Sequence, residues 1–111
     1  MKRLSSKRAK ALDIPASVKR RVWDVCGGAC VICGNMSNVM PNAHYIPRSQ
    51  GGLGIEENIF VACTGFGNNC HFKFDNDAEF RKRATPIIVR HFKKHYPDWD
   101  ESKLYYRKCG D

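Results

Sequence analysis

The chain has 111 residues, the length of one domain, with 42% hydrophobic residues and a formal net charge of +8. It contains no run of about 20 apolar residues and no apolar segment near its start, which argues against a membrane protein and a secreted protein. We therefore expect a cytoplasmic protein whose positive charge suits a polyanionic partner.

The positive charge is concentrated in residues 1–21, which contain eight Lys and Arg residues and a single acidic residue, Asp13. Such an excess is typical of a segment that contacts a nucleic-acid backbone, and the alternative is a solubilising tail. Residues 1–12 lack hydrophobic periodicity, so we predict a flexible basic arm there and one domain over residues 13–111. The candidate DNA-binding residues on the first helix of that domain are Lys19, Arg20 and Arg21.

The first half of the domain predicts one helix and two strands. Pro15 favours the first turn of a helix that extends to about Cys26, where Gly27 and Gly28 end it. The predicted strands occupy residues 42–46 and 59–62, and a loop with a Gly-Gly pair joins them.

The second half predicts two helices and a closing strand. One helix covers residues 70–83, and a second begins at Thr85 and Pro86 and extends to about His95. The segment "KLYYRK" at 103–108 predicts the closing strand. The predicted fold class is therefore α+β.

Six cysteines in a chain without a secretion signal favour metal binding over disulfides. Cys30 and Cys33 form a Cys-x-x-Cys pair, and Cys63 and Cys70 form a second, looser pair. Four thiolates in two pairs predict a closed, tetrahedral, structural Zn²⁺ site, and the alternative is a set of buried free cysteines. The cysteines outside this set are Cys26 and Cys109.

Three further residues complete a pattern around these pairs. His44 lies in "NAHYIPRSQGG", Asn58 lies in "EENIF", and His71 directly follows Cys70. The order of Cys-x-x-Cys, His, PRSQGG, Asn, Cys and Cys-His resembles the HNH endonuclease family, in particular its small free-standing phage and prophage members. The resemblance covers about residues 18–77.

The resemblance implies a ββα-metal (HNH) core and hydrolysis of DNA phosphodiester bonds, with nicking and double-strand cutting both open. His44 is then the general base, Asn58 holds the loop that orients it, and His71 binds a catalytic Mg²⁺ or Mn²⁺ ion. It also implies a bacterial or phage-infected host cell, DNA as partner and phage packaging proteins as candidate further partners. The pattern carries no information on the oligomeric state.

Two residues near the histidines extend this candidate site. Asp75 lies four residues after His71, so on a helix both side chains share a face and could hold one divalent ion. Arg48 follows His44 on the loop and is a candidate phosphate contact.

One position departs from the family pattern. Many relatives carry Asp, Glu or His immediately before the base, whereas this chain has Ala43. We therefore expect weak metal affinity, and we expect Ala43→Asp to strengthen it. The spacing does not select a replacement ligand among Asn42, Glu56 and Glu57.

Two other functions compete with the enzyme. Ala43 favours a non-catalytic, zinc-stapled nucleic-acid-binding module, and a zinc-stapled protein-interaction domain would leave the basic arm unexplained. His91 and His95 have the spacing of a helical metal pair, but no partner is indicated nearby, so we interpret them as surface residues.

Overall fold

A computed structural model describes residues 7–65 and 68–107 of the chain. The described part combines helices with a two-stranded antiparallel sheet, which confirms the α+β class. No helix within it is long and apolar enough to cross a membrane. The helices are α1 (Lys7–Leu12), α2 (Ala16–Cys26), α3 (Cys70–Asn76) and α4 (Ala78–His95), and the strands are β1 (Val39–His44) and β2 (Ile59–Cys63).

The two strands pair next to the candidate catalytic histidine. Ala43 lies opposite Phe60 and His44 opposite Ile59, and the register is irregular between Met40 and Ala43. An irregularity of this kind changes the direction in which neighbouring side chains point. β2 is buried along its whole length, which explains why its sequence is continuously apolar rather than alternating.

The aromatic core attaches the helices to the sheet. Phe60 of β2 packs edge-on against Phe74 of α3 and Phe92 of α4, with ring centroids 5.5 and 6.5 Å apart. α2, which precedes the sheet in the chain, buries Val18 and Val22 in the same core, on the face that the periodicity predicts. The core therefore fixes α3, which carries His71, against β2.

The Gly-Gly pair shapes the loop between β1 and β2, residues 45–58, which we call the glycine loop. Gly51 has φ 85°, a left-handed conformation that glycine adopts without strain. A side chain at Gly52 would overlap the carbonyl of Ile46, because the two ends of the loop lie in direct contact. Replacing either glycine would therefore open the loop that follows His44.

Residues 7–12 of the predicted flexible basic arm form a helix, α1. This helix is stabilised by docking rather than by its own periodicity: Leu12 is 2% exposed, and the Gly54 N–H donates to the Ala11 carbonyl at 2.9 Å. Residues 1–6 lie outside the described residues.

The helix boundaries in the second half also differ from the prediction. The break falls at Asp77, whose carboxylate caps α4 by accepting the Phe80 N–H at 3.1 Å. α4 then continues through Pro86, and the Thr85 hydroxyl donates to the Arg81 carbonyl at 2.7 Å just before it. Asp77 therefore sets the start of α4. Pro86 removes one backbone hydrogen bond within the helix but does not end it.

The closing strand predicted at 103–108 is absent from the described residues. Glu101–Lys103 forms a short 3-10 helix, and Tyr105 makes an isolated bridge with Gly52. Leu104 is buried, and its carbonyl accepts the Leu53 N–H at 2.9 Å. The segment thus packs on the glycine loop instead of extending the sheet, and residue 108 lies outside the described part.

Candidate functional site

The four predicted zinc ligands lie together. Cys30 and Cys33 are on the turn after α2, Cys63 is the last residue of β2 and Cys70 is the first of α3. Their sulfur atoms all lie within 4.8 Å of one another, and those of Cys33 and Cys63 are 3.7 Å apart. A zinc–sulfur distance of about 2.3 Å places sulfurs about 3.8 Å apart in a tetrahedron. The cluster is therefore a candidate metal site, consistent with structural zinc.

The thiols of this cluster differ in acidity. Burial raises the pKa of Cys70, and the neighbouring sulfurs raise it further. Burial acts in the same direction on Cys33, but hydrogen bonds from the Asn68 side chain and the Asn35 backbone outweigh it and lower the pKa of Cys33 to about 7. Four thiolates so close together repel one another, so full ionisation of the cluster requires a cation among them.

A separate cleft of about 1060 Å³ opens between the end of β1, the glycine loop, α3 and the start of α4. It brings together five of the residues predicted for function. They are Lys19, His44, Arg48, His71 and Asp75.

His44 is 9% exposed, and its Nε2 lies 3.0 Å from the carbonyl oxygen of Leu12. A carbonyl only accepts hydrogen bonds, so this contact places the ring proton on Nε2 and leaves the lone pair on Nδ1. Burial lowers the pKa of His44 below its ordinary value, although the Leu12 hydrogen bond opposes this shift. The imidazole is therefore neutral near pH 7, as a general base must be.

The Leu12 carbonyl has a second donor. Arg48 Nη1 donates to it at 2.8 Å, and Arg48 Nη2 lies 2.9 Å from the Asp13 carboxylate. Arg48 is thus tied to the N-terminal segment at the edge of the cleft, with two of its nitrogens already engaged. Its predicted role as a phosphate contact would use its remaining donors.

His71 and Asp75 share one face of α3, and His71 Nε2 is 3.7 Å from Asp75 Oδ2. Neighbouring ligands of an octahedral Mg²⁺ or Mn²⁺ ion lie about 3 Å apart when each bond is about 2.1 Å long. Side-chain shifts of less than roughly 1 Å would therefore give both groups ligand geometry. The pair fits a divalent ion on its cleft side.

Asn58 lies behind the cleft rather than in its wall. It is 0% exposed, its Oδ1 accepts the Ile46 N–H at 2.7 Å, and its Nδ2 donates to the carbonyls of Ile46 and Leu53 at 3.2 and 2.8 Å. The amide therefore joins the two ends of the loop that begins after His44.

Ala43 does not face the cleft. Its side chain is 1% exposed in the hydrophobic core, whereas Asn42 and His44 on either side of it line the cleft. A carboxylate at this position would be buried among apolar groups, at considerable cost in stability. The structure therefore gives no support to the expectation that Ala43→Asp strengthens metal binding, which stays a prediction.

The three predicted DNA-binding residues on α2 are all exposed. Lys19 lines the cleft, Arg20 lies beside it in sequence, and Arg21 Nε bonds a carboxylate oxygen of Glu56 at 2.6 Å. The glutamate neutralises part of this basic surface, so Lys19 and Arg20 are the residues most available to a polyanion.

The interpretation of His91 as a surface residue is wrong. Its Nε2 lies 3.7 Å from Cys26 Sγ in the partly buried contact between α4 and α2. Burial lowers the pKa of His91 to about 4, and electrostatic interactions with the neighbouring His95 and Lys94 act in the same direction. His95 itself is exposed, as predicted.

Sequence reasoning missed two contributors to the cleft. Arg81 lines it while donating to the carbonyls of Tyr45 and Phe74 at 2.8 and 3.2 Å, and its guanidinium stacks 4.2 Å from the Phe74 ring. The Leu12 carbonyl holds His44. The contact of Arg81 with Tyr45 and that of His44 with Leu12 each join residues more than 30 positions apart, and no local pattern in the sequence indicates them.

Comparison of the chain with protein-family models, with curated proteins and with solved structures finds no match in any of the three.

Proposed function

We propose that this chain is a divalent-metal-dependent DNA endonuclease of the HNH type. The observation that carries the proposal is the cleft that contains both His44, whose Nε2 bonds the Leu12 carbonyl, and the pair of His71 and Asp75. The order of two antiparallel strands followed by a helix supports the resemblance that the sequence motifs carry.

In this proposal His44 performs the proton transfer. The Leu12 carbonyl holds Nε2–H, so Nδ1 is directed to take a proton from a water molecule that attacks the phosphorus. His71 and Asp75 would hold a divalent ion, which would supply charge stabilisation for the phosphoryl oxygens and the leaving 3′ oxygen. Burial keeps the base neutral, and Asn58 keeps the adjoining loop closed.

We further propose that the cysteine cluster binds a structural Zn²⁺ ion. The four sulfurs come from the turn after α2, the end of β2 and the start of α3, so one ion would join three elements. His71 directly follows Cys70, and the ion would therefore fix one wall of the cleft.

A plasmid relaxation assay with Mg²⁺ or Mn²⁺ tests the enzyme. The parent should convert supercoiled plasmid to nicked or linear forms, His44→Ala should not, and the exposed histidine variant His95→Ala should behave as the parent. Full cleavage by His44→Ala would refute the mechanism.

The competing function is a non-catalytic nucleic-acid-binding module, which the position of Ala43 favours because it supplies no metal ligand. That function predicts retention of plasmid in gel shifts without any strand cutting by the parent, whichever divalent ion is added.

A further inference from the structure

Asn42 has an unexplained buried oxygen. Among the side chains of residues 7–65 and 68–107, Asn42 Oδ1 is the one buried nitrogen or oxygen atom without a hydrogen-bond partner. Leaving a buried polar atom unpaired costs about 1–3 kcal/mol. An atom that carries this cost without a partner in the protein calls for a partner outside it.

The position of Asn42 on β1 directs it to the cleft. Its side chain lies among the residues that line the cleft, as does that of His44 two residues later, while Ala43 between them is in the core. This is the alternation of a strand, and the irregular pairing between Met40 and Ala43 spans Asn42 itself. The strand thus places Asn42 in the lining of the cleft that contains His71 and Asp75.

We propose that Asn42 Oδ1 is a ligand of the divalent ion held by His71 and Asp75, in place of the side chain that Ala43 lacks. The inference rests on the proposed function. Amide oxygens are hard, neutral ligands that suit Mg²⁺ and Mn²⁺, and one added to a carboxylate and an imidazole gives three protein ligands. An ion in the cleft would also satisfy the oxygen that the fold leaves unpaired.

The ligand set has a consequence for affinity. An amide contributes no charge, so Asp75 supplies the one carboxylate among the three proposed protein ligands. Asn42→Asp adds a negative charge at the same position and with nearly the same shape. It should therefore tighten Mn²⁺ binding, whereas Asn42→Ala should weaken it.

Calorimetric titration of the zinc-loaded protein with Mn²⁺ tests the proposal independently of cleavage. We expect Asn42→Ala to lose about tenfold in Mn²⁺ affinity, equivalent to about 1.4 kcal/mol, and Asn42→Asp to gain a similar factor. Ser49→Ala removes another polar side chain of the cleft and should leave the affinity unchanged. Thermal unfolding with and without Mn²⁺ gives a second readout, because the stabilisation by the ion should shrink in Asn42→Ala.

The outcomes separate the ligand from the enzyme. If the parent binds Mn²⁺ and both Asn42 variants bind it equally well, the ligand assignment is overturned and the nuclease proposal stands. If the affinities change as expected but the parent cuts no DNA, the ligand assignment stands and the nuclease proposal fails. A parent that binds no Mn²⁺ overturns the ligand assignment, and a parent that also cuts no DNA with any divalent ion overturns both. Asn42→Asp preserves the size of the side chain, so it remains informative should Asn42→Ala fold poorly.

Discussion

Replacing Asn58 with alanine should destabilise the whole domain, because its amide is the internal connection of the loop between the strands. The side chain is 0% exposed and makes three hydrogen bonds, two to Ile46 and one to Leu53. Alanine removes all three at a position that is closed to bulk solvent. The Tyr45 N–H to Asn58 carbonyl bond, at 2.8 Å, survives the substitution because it belongs to the backbone.

The magnitude follows from the groups left without a partner. The Ile46 N–H loses its acceptor in a buried environment, which costs about 2–3 kcal/mol, and the partly buried Leu53 carbonyl adds about 1 kcal/mol. The expected loss is about 3–4 kcal/mol, a large part of the roughly 5–15 kcal/mol that stabilises a domain. For a chain of this size, the loss lowers Tm by about 10–20 °C.

Urea and thermal unfolding followed by circular dichroism measure this loss. Asn76→Ala is the matched control, because Asn76 makes a single exposed hydrogen bond, from Nδ2 to the Phe72 carbonyl at 2.9 Å. The control should lose less than about 1 kcal/mol. If Asn58→Ala were no less stable than Asn76→Ala, the loop would be held by something other than the amide, and the reasoning would be refuted.

Three other predictions concern the metal, the polyanion and the base. Cys30→Ser or a strong chelator should unfold the domain, since the free energy of zinc binding contributes to the free energy of folding. Elemental analysis measures the zinc content and circular dichroism measures the unfolding. A protein that stays folded without zinc would contradict this prediction. Neutralising Lys19, Arg20 and Arg21 should flatten the slope of log affinity for DNA against log salt by about 0.9 per lost phosphate contact, and an unchanged slope in filter binding would argue against a backbone contact. Cleavage should be lost as the pH falls through the pKa of His44, because only the neutral imidazole accepts the proton. Burial places this pKa below its ordinary value of about 6.5. A cleavage rate that rises on acidification would exclude His44 as the base.

The cysteine cluster could be predicted from the sequence because its chemistry is local. A Cys-x-x-Cys turn brings two sulfurs together by itself, and Cys63 and Cys70 lie at the ends of elements that their own patterns define. The apolar run of β2 and the Gly-Gly pair before it are also local signals, whereas the first strand, predicted over 42–46, occupies Val39–His44.

Other features depend on contacts between distant residues and could not be predicted in this way. α1 forms because Leu12 finds a place in the core, and nothing in residues 7–12 indicates that place. The sequence predicted the start of the last helix at Thr85, whereas α4 begins after Asp77, whose carboxylate accepts the Phe80 N–H. Asn42 is an intermediate case: strand alternation places it on the same face as His44, so the signal was present in the sequence.

The two walls of the cleft are held by different means, and this separates the effects of damage to each. His44 is oriented by the Leu12 carbonyl and lies next to the loop that Asn58 closes, whereas His71 is carried by α3 directly after Cys70. A shift of α3 would therefore displace His71 without breaking the hydrogen bond between His44 and the Leu12 carbonyl. Loosening of α1 would instead release His44 and leave the spacing of His71 on its helix unchanged. The proposed mechanism requires both supports together, since His44 and the pair of His71 and Asp75 belong to different elements.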